Sequence, residues 1–222
     1  MKKFKVLFVA AMLLVATCNV YSQENRLTKD FTVNGCLQIG SNYAELLGIK
    51  CSDNFALYTE FSAFHSCGLG VAYYALDDFS QEETGRVRFA DLAYANQWGN
   101  FSMYAATEYG WYDNWHDGRW LMEYAICTYS LGTWAFEVTP MFMYFPNFSE
   151  DQYEFMAYGK VTKTFFNDWD VYATIWYDNI YQDHVYGAIG TKVRFPGNFY
   201  LGSNLLYKEK VLTPVAAFGW RF

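Results

Sequence analysis

Leu212-Thr-Pro-Val-Ala-Ala-Phe-Gly-Trp-Arg-Phe222 is the stretch that decides the fold. Leu212, Pro214, Ala216, Phe218, Trp220 and Phe222 are apolar, and Thr213, Val215, Ala217, Gly219 and Arg221 between them are small or polar. A period of two puts one set on each face of a β-strand. The expectation is a strand with Phe218, Trp220 and Phe222 toward an apolar surrounding and Arg221 on the other face.

An apolar alternating strand that ends on an aromatic residue resembles the closing strand of bacterial outer-membrane β-barrels. The resemblance implies an outer-membrane location, and recognition of this segment by the barrel-insertion machinery. Composition agrees: aromatics reach 22%, with 20 Tyr, 20 Phe and 8 Trp. Mean hydropathy is nevertheless near neutral, as it is when lipid-facing and lumen-facing residues alternate along every strand. A soluble aromatic-rich β-sandwich is the plain alternative.

The amino end favours export. Met1 to Lys5 is basic, and Val6 to Thr17 is apolar but too short for a stable transmembrane anchor. Small residues follow, so residues 1–22 read as a signal peptide cleaved before Gln23, and 23–222 as the barrel. A lipidated Cys18 is disfavoured by Thr17 before it. Cleavage removes Lys2, Lys3 and Lys5 and no acid, which takes the formal charge from −7 to about −10. That balance argues against a nucleic-acid partner.

Cys36, Cys51, Cys67 and Cys127 remain, with no zinc spacing. Cys36 and Cys67 are the one pair expected on the same side. Four small apolar side chains is the plainer reading.

Short turn signals at His65-Ser66, Gly99-Asn100, Leu131-Gly132-Thr133, Asn167-Asp168 and Pro196-Gly197-Asn198 alternate with longer polar stretches. The segments between predict about twelve strands: 31–49, 54–64, 68–76, 86–97, 101–111, 119–129, 134–145, 153–164, 169–178, 184–195, 199–207 and 212–222. The fold class is all-β, a transmembrane antiparallel up-and-down β-barrel. Short turns belong on the periplasmic side and long loops outside. Gly40-Ser41-Asn42 could form an additional hairpin, but an odd strand count would put the chain ends on opposite sides.

Alternation also predicts faces. Phe55, Leu57 and Phe61 face lipid, with Tyr58 and Glu60 inside. Phe101, Met103, Ala105, Thr107, Tyr109 and Trp111 face lipid, with Tyr104 and Glu108 inside. Trp120, Met122, Tyr124 and Ile126 face lipid, with Glu123 inside. Trp134, Phe136, Val138, Pro140, Phe142 and Tyr144 face lipid, with Glu137 and Thr139 inside. Placing Asp91 inside puts Arg86 and Arg88 on the outer face, which calls for a bulge or a position at the rim.

The lumen is therefore expected to carry Glu60, Asp91, Glu108, Glu123 and Glu137 on one wall. Lys160, Lys192, Arg194 and Arg221 form the other. Opposed charges can simply pair and fill the barrel, or they can form a constriction with a transverse field. Tyr58, Tyr104, Tyr129, Tyr158, Tyr172, Trp176, Tyr186 and Tyr200 are also expected inside, as stacking surfaces or as packing. In strand count and lumen character the chain is similar to twelve-stranded nucleoside and sugar channels.

A barrel enzyme is the rival class. His65, His116 and His184 are the three histidines, expected in a periplasmic turn, an external loop and an external strand end. The barrel-phospholipase pattern of a His and a Ser close together in a Gly-rich strand is therefore not expected. His116 beside Asp117 reads as a solvated loop. Acidic loops, including Asp77, Asp78, Asp113 and Asp178, suit divalent cations bridging lipopolysaccharide, or plain solubility. No EF-hand, phosphate loop or nucleophile elbow is present, so neither a cofactor nor a metal is implied. The expected function is a narrow pore for small polar solutes, with a closed structural or surface-binding barrel as the alternative.

Overall fold

The computed structural model describes residues 30–41, 55–79, 85–114, 118–147, 153–178, 184–208 and 211–222. The proposed signal segment, Asn42 of the 40–42 hairpin signal, Cys51 and His116 lie outside these residues, as does the side chain of His184. The first six strands are β1 (Phe31–Ser41), β2 (Phe55–His65), β3 (Leu69–Asp77), β4 (Arg86–Trp98), β5 (Phe101–Tyr112) and β6 (Arg119–Leu131). The other six are β7 (Trp134–Tyr144), β8 (Tyr153–Phe165), β9 (Trp169–Asp178), β10 (His184–Phe195), β11 (Phe199–Lys208) and β12 (Val211–Arg221). Each pairs antiparallel with its neighbours in sequence, and β1 pairs with β12, so the sheet closes into a barrel. Closure leaves no edge strand unpaired. The expected twelve strands are present; the first is described only as far as Ser41.

Turn chemistry places the short connections. Gly99 and Gly132 have φ of +59° at the first central position of two-residue hairpins. That is the glycine position of the type II′ turn, whose twist matches the flanking strands. Together with the turns at 66–68, 166–168 and 196–198 they form one end of the barrel, the short-turn end, where β1 begins and β12 finishes.

The outside is apolar. Leu92 and Ile189 are each 67% exposed, and Val138, Ile175, Leu201 and Phe218 share that face. A ring of Trp98, Phe101, Trp134, Phe165, Trp169, Phe199 and Trp220 surrounds the short-turn end, and Tyr109, Tyr153, Tyr177 and Tyr207 stand nearer the other. Trp134 and Tyr144 bound β7. Ten steps of about 3.3 Å, tilted by about 40°, give roughly 25 Å, the height of the apolar band of a transmembrane barrel. An exposed apolar belt between aromatic girdles on a closed sheet is a lipid-facing surface.

Most expected faces hold. β2, β5, β7 and β12 turn the expected residues outward. β4 needs no bulge: Arg86 and Arg88 lie on the outer face at the long-loop rim. Arg86 meets Asp77 at 3.3 Å, Arg88 meets Asp113 at 3.0 Å, and Arg88 also donates to the Leu76 carbonyl at 2.9 Å. Two of the acids assigned to a cation-binding rim are thus paired with arginine. Cys36 and Cys67 are both free thiols, Cys36 buried and Cys67 exposed, so the disulfide considered for them is not formed.

β6 is out of phase with the sequence expectation. Trp120 and Met122 are buried inside, and Tyr124 reaches inward to Asp91 at 2.6 Å. Glu123 and Tyr129 lie on the outer face, opposite the outward residues Thr107 and Phe101 of β5. Directly opposed residues share a face, so β5 fixes the phase of β6 whatever its hydropathy. Glu123 is an exposed carboxylate in the lipid-facing band, where Thr107 Oγ1 donates to it at 2.9 Å. Replacing Glu123 with leucine is expected to raise the urea midpoint of unfolding in detergent, a gain of about 1–2 kcal/mol, because a lipid-facing acid is destabilising. An unchanged or lowered midpoint contradicts the outer placement.

Candidate functional site: the barrel interior

The interior is layered. Toward the long-loop end, inward residues of nine strands form a buried apolar cluster that includes Ala56, Leu76, Phe89, Trp120, Met141, Met156, Trp176, Ala188 and Leu206 and continues down to Cys36 and Tyr200. The buried acids Glu154 and Asp178 lie at its outer edge. Leu76 and Met141 are each 1% exposed. Side chains bordering a water-filled bore would keep much more surface than this. The outer half of the lumen is packed like a protein core.

Cross-strand glycines make room for the rings. Gly110 pairs with Trp120, Gly190 with Tyr172 and Gly219 with Tyr200. In each case the aromatic ring lies over the glycine, so that a Cβ there would meet ring atoms at 2.0–2.4 Å.

Below the apolar layer the lining is polar. Glu60 faces inward on β2 and accepts from Tyr58 Oη at 3.3 Å. Asp91 and Glu108 are opposed on β4 and β5, 4% and 2% exposed. Glu108 accepts from Trp120 Nε1 at 3.0 Å, and Asp91 Oδ2 accepts from Tyr104 at 2.7 Å. Glu137 on β7 is opposite Lys160 on β8.

The other wall is basic and aromatic. The Lys160 ammonium lies 5.0 Å from the Tyr172 ring centre, and Lys192 lies 3.9 Å from that of Tyr200. Arg221 approaches the same Tyr200 ring at 5.9 Å. Such contacts stabilise a cation by about 0.5–2 kcal/mol. Arg194 sits at the short-turn mouth and donates to Asp170 Oδ1 at 3.1 Å and to the Asn167 carbonyl at 3.0 Å. Tyr158 and Trp176 pack at 5.4 Å, and Tyr186 borders the apolar cluster.

Glu123 and Tyr129 are the two candidates the barrel does not bring into the lumen. Sequence reasoning overlooked Asp170 and the buried inward acid Glu154, and put Tyr124 on the lipid face. Asp170 was visible in principle, since it shares the phase of Tyr172 and Trp176. Tyr124 was hidden by the misread phase of β6. His65 holds a structural position: its Nδ1 accepts from Cys67 N at 3.2 Å and its ring meets Phe31 edge-on at 5.0 Å.

No protein-family model and no curated relative matches the chain. Among solved structures it is similar to the KdgM porin, at 8% identity and a TM-score of 0.62, over 85% of this chain and 98% of that one. The NanC porin is similar at 9% identity and a TM-score of 0.58, over 85% and 98%. The outer membrane phospholipase A from Escherichia coli is similar at 13% identity and a TM-score of 0.51, over 90% and 93%. At these identities the likeness is one of fold: the chain is an outer-membrane porin-like β-barrel in architecture.

Proposed function

We propose that this chain is a bacterial outer-membrane barrel that passes small polar solutes through a narrow lumen with an acidic and a basic wall. The observation that carries the reading is how inward charge is sorted around the barrel. Glu60, Asp91, Glu108 and Glu137 come from β2 to β7, and Lys160, Lys192, Arg194 and Arg221 from β8 to β12. Three acids interrupt the basic wall: Asp170, with which Arg194 pairs, and Glu154 and Asp178, buried on β8 and β9 near the long-loop end. Charges are costly to enclose, and a transverse field across a constriction orients polar solutes and rejects apolar ones. The fold likeness to porins supports the same reading. Signal-peptide cleavage before Gln23, recognition of β12 by the insertion machinery, and contact with outer-membrane lipid and lipopolysaccharide belong to it as well.

The buried apolar layer in the outer half gives the closed form, so conduction requires its side chains to move. The same layer favours a second reading, a barrel closed for good. Single-channel recording in planar bilayers separates them. The pore reading expects discrete steps that grow when Met141→Ala thins the layer. Glu108→Gln is expected to shift the reversal potential away from cation preference, while Glu123→Gln, on the lipid face, leaves it unchanged. Silence from both wild type and Met141→Ala decides for the closed barrel.

A further inference from the structure

The strongest unexplained feature of the interior is the carboxyl of Asp91. It is 4% exposed. Its Oδ2 accepts from both Tyr104 and Tyr124, at 2.7 and 2.6 Å, and Tyr74 Oη lies 3.2 Å from Tyr104 Oη. Its Oδ1 is buried with no hydrogen-bond partner. A buried carboxylate oxygen left unsatisfied is expensive, and the opposed residue on β5 is a second acid, Glu108. No ion pair reaches either carboxyl among the described residues.

Rings surround this acid. Tyr104 and Tyr124 stack at 5.8 Å, Phe64 meets Tyr104 edge-on at 5.9 Å, and Tyr74 meets Phe89 at 6.5 Å. Alanines stand on the wall near Asp91: Ala72 opposite it on β3, and Ala93 and Ala106 beside it. Tyr104 also lines a groove of about 400 Å³ near the short-turn end, with Ser102, Ile126 and Thr128. A single tyrosine thus joins an open groove to the carboxyl that carries the orphaned oxygen, through its other oxygen Oδ2.

We propose that Asp91 and its tyrosines bind a small primary amine in its ammonium form, entering from that groove. An N–H donates to Asp91 Oδ1, the positive charge offsets Asp91 and Glu108, and the ring faces stabilise it as they do other ammonium groups. A bare metal ion fits less well. Hard cations take six or more oxygens, and here two tyrosine hydroxyls already spend their protons on Oδ2. A neutral hydroxyl compound would leave the acidic charge unbalanced. The site does not depend on conduction, and a closed barrel would have it too.

The test is calorimetric titration of the full-length folded protein in detergent micelles with n-butylammonium, at fixed ionic strength. One saturable site is expected, weakened at least about tenfold by Asp91→Asn, which removes a charged hydrogen bond. Asp170→Asn, on the opposite wall, should leave it unchanged. The neutral isostere 1-butanol should not compete, and this arm needs only wild-type protein should Asp91→Asn fail to fold. Absence of saturation, equal competition by 1-butanol or by sodium ion, or undiminished binding by folded Asp91→Asn each overturns the proposal. None of these results bears on the bilayer recordings, so the two readings fail separately.

Discussion

Gly110→Val is expected to destabilise the barrel by about 3–5 kcal/mol, combining overpacking with a lost hydrogen bond to a buried carboxyl. The reason is the close approach of Trp120. A Cβ on Gly110 would stand 2.0 Å from Trp120 Cε2 and 2.4 Å from its Nε1. The indole cannot retreat without breaking its bond to Glu108 at 3.0 Å. Phe89 at 5.6 Å and Tyr112 at 5.3 Å hold it from other sides. Urea titration followed by far-ultraviolet circular dichroism in detergent measures the loss. The diagnostic is the double variant: Trp120→Ala removes the ring, so adding Gly110→Val to it should cost less than adding it to wild type. Residues in contact couple by about 0.5–3 kcal/mol. Additive losses would show that the indole does not lie over Gly110.

The same pair shows where sequence reasoning stops. β12, β7, β5 and β2 are legible because their two faces differ sharply in polarity, and lipid decides which face turns out. β6 is not. Its inward set, Trp120, Met122 and Tyr124, is more apolar than its outward set, Leu121, Glu123 and Ala125, so a hydropathy rule reverses it. Two constraints override that rule. The register with β5 opposes Trp120 to Gly110, and a twelve-stranded lumen filled from within needs large side chains. An interior whose outer half is largely apolar breaks the simple code of apolar out, polar in. The strand count was legible for a different reason: turns such as Gly99-Asn100 and Gly132-Thr133 demand particular backbone angles, which the local sequence states directly. The charged residues were legible as candidates, but their partners were not, because Asp91 meets Tyr124 across 33 positions of sequence.

Removing Phe222 is expected to open the barrel at the seam between β1 and β12. Among the described residues β1 and β12 share five aligned pairs, Cys36↔Arg221 to Gly40↔Ala217, against eleven between β1 and β2. Phe222 extends that seam: its N donates to the Gly35 carbonyl at 2.9 Å, and its carbonyl accepts from Gly35 N at 2.8 Å. Its ring lies over Gly35, 2.3 Å from where a Cβ would be, and packs on Trp220 at 4.8 Å. Two backbone hydrogen bonds at about 0.5–1.5 kcal/mol each and a ring worth about 1.5–3 kcal/mol give a loss of about 3–5 kcal/mol. Lipid sharpens the effect, because freed backbone groups find no water there. Phe222→Leu keeps both backbone bonds and most of the apolar cover, so its loss should be about 1 kcal/mol, in the range of volume-conserving swaps. Refolding of purified protein into micelles, read by heat-modifiable gel mobility and urea titration, isolates this from any role of the residue in cellular assembly. If the chain ending at Arg221 refolds with the wild-type midpoint, closure rests on the rest of the seam and Phe222 holds nothing together.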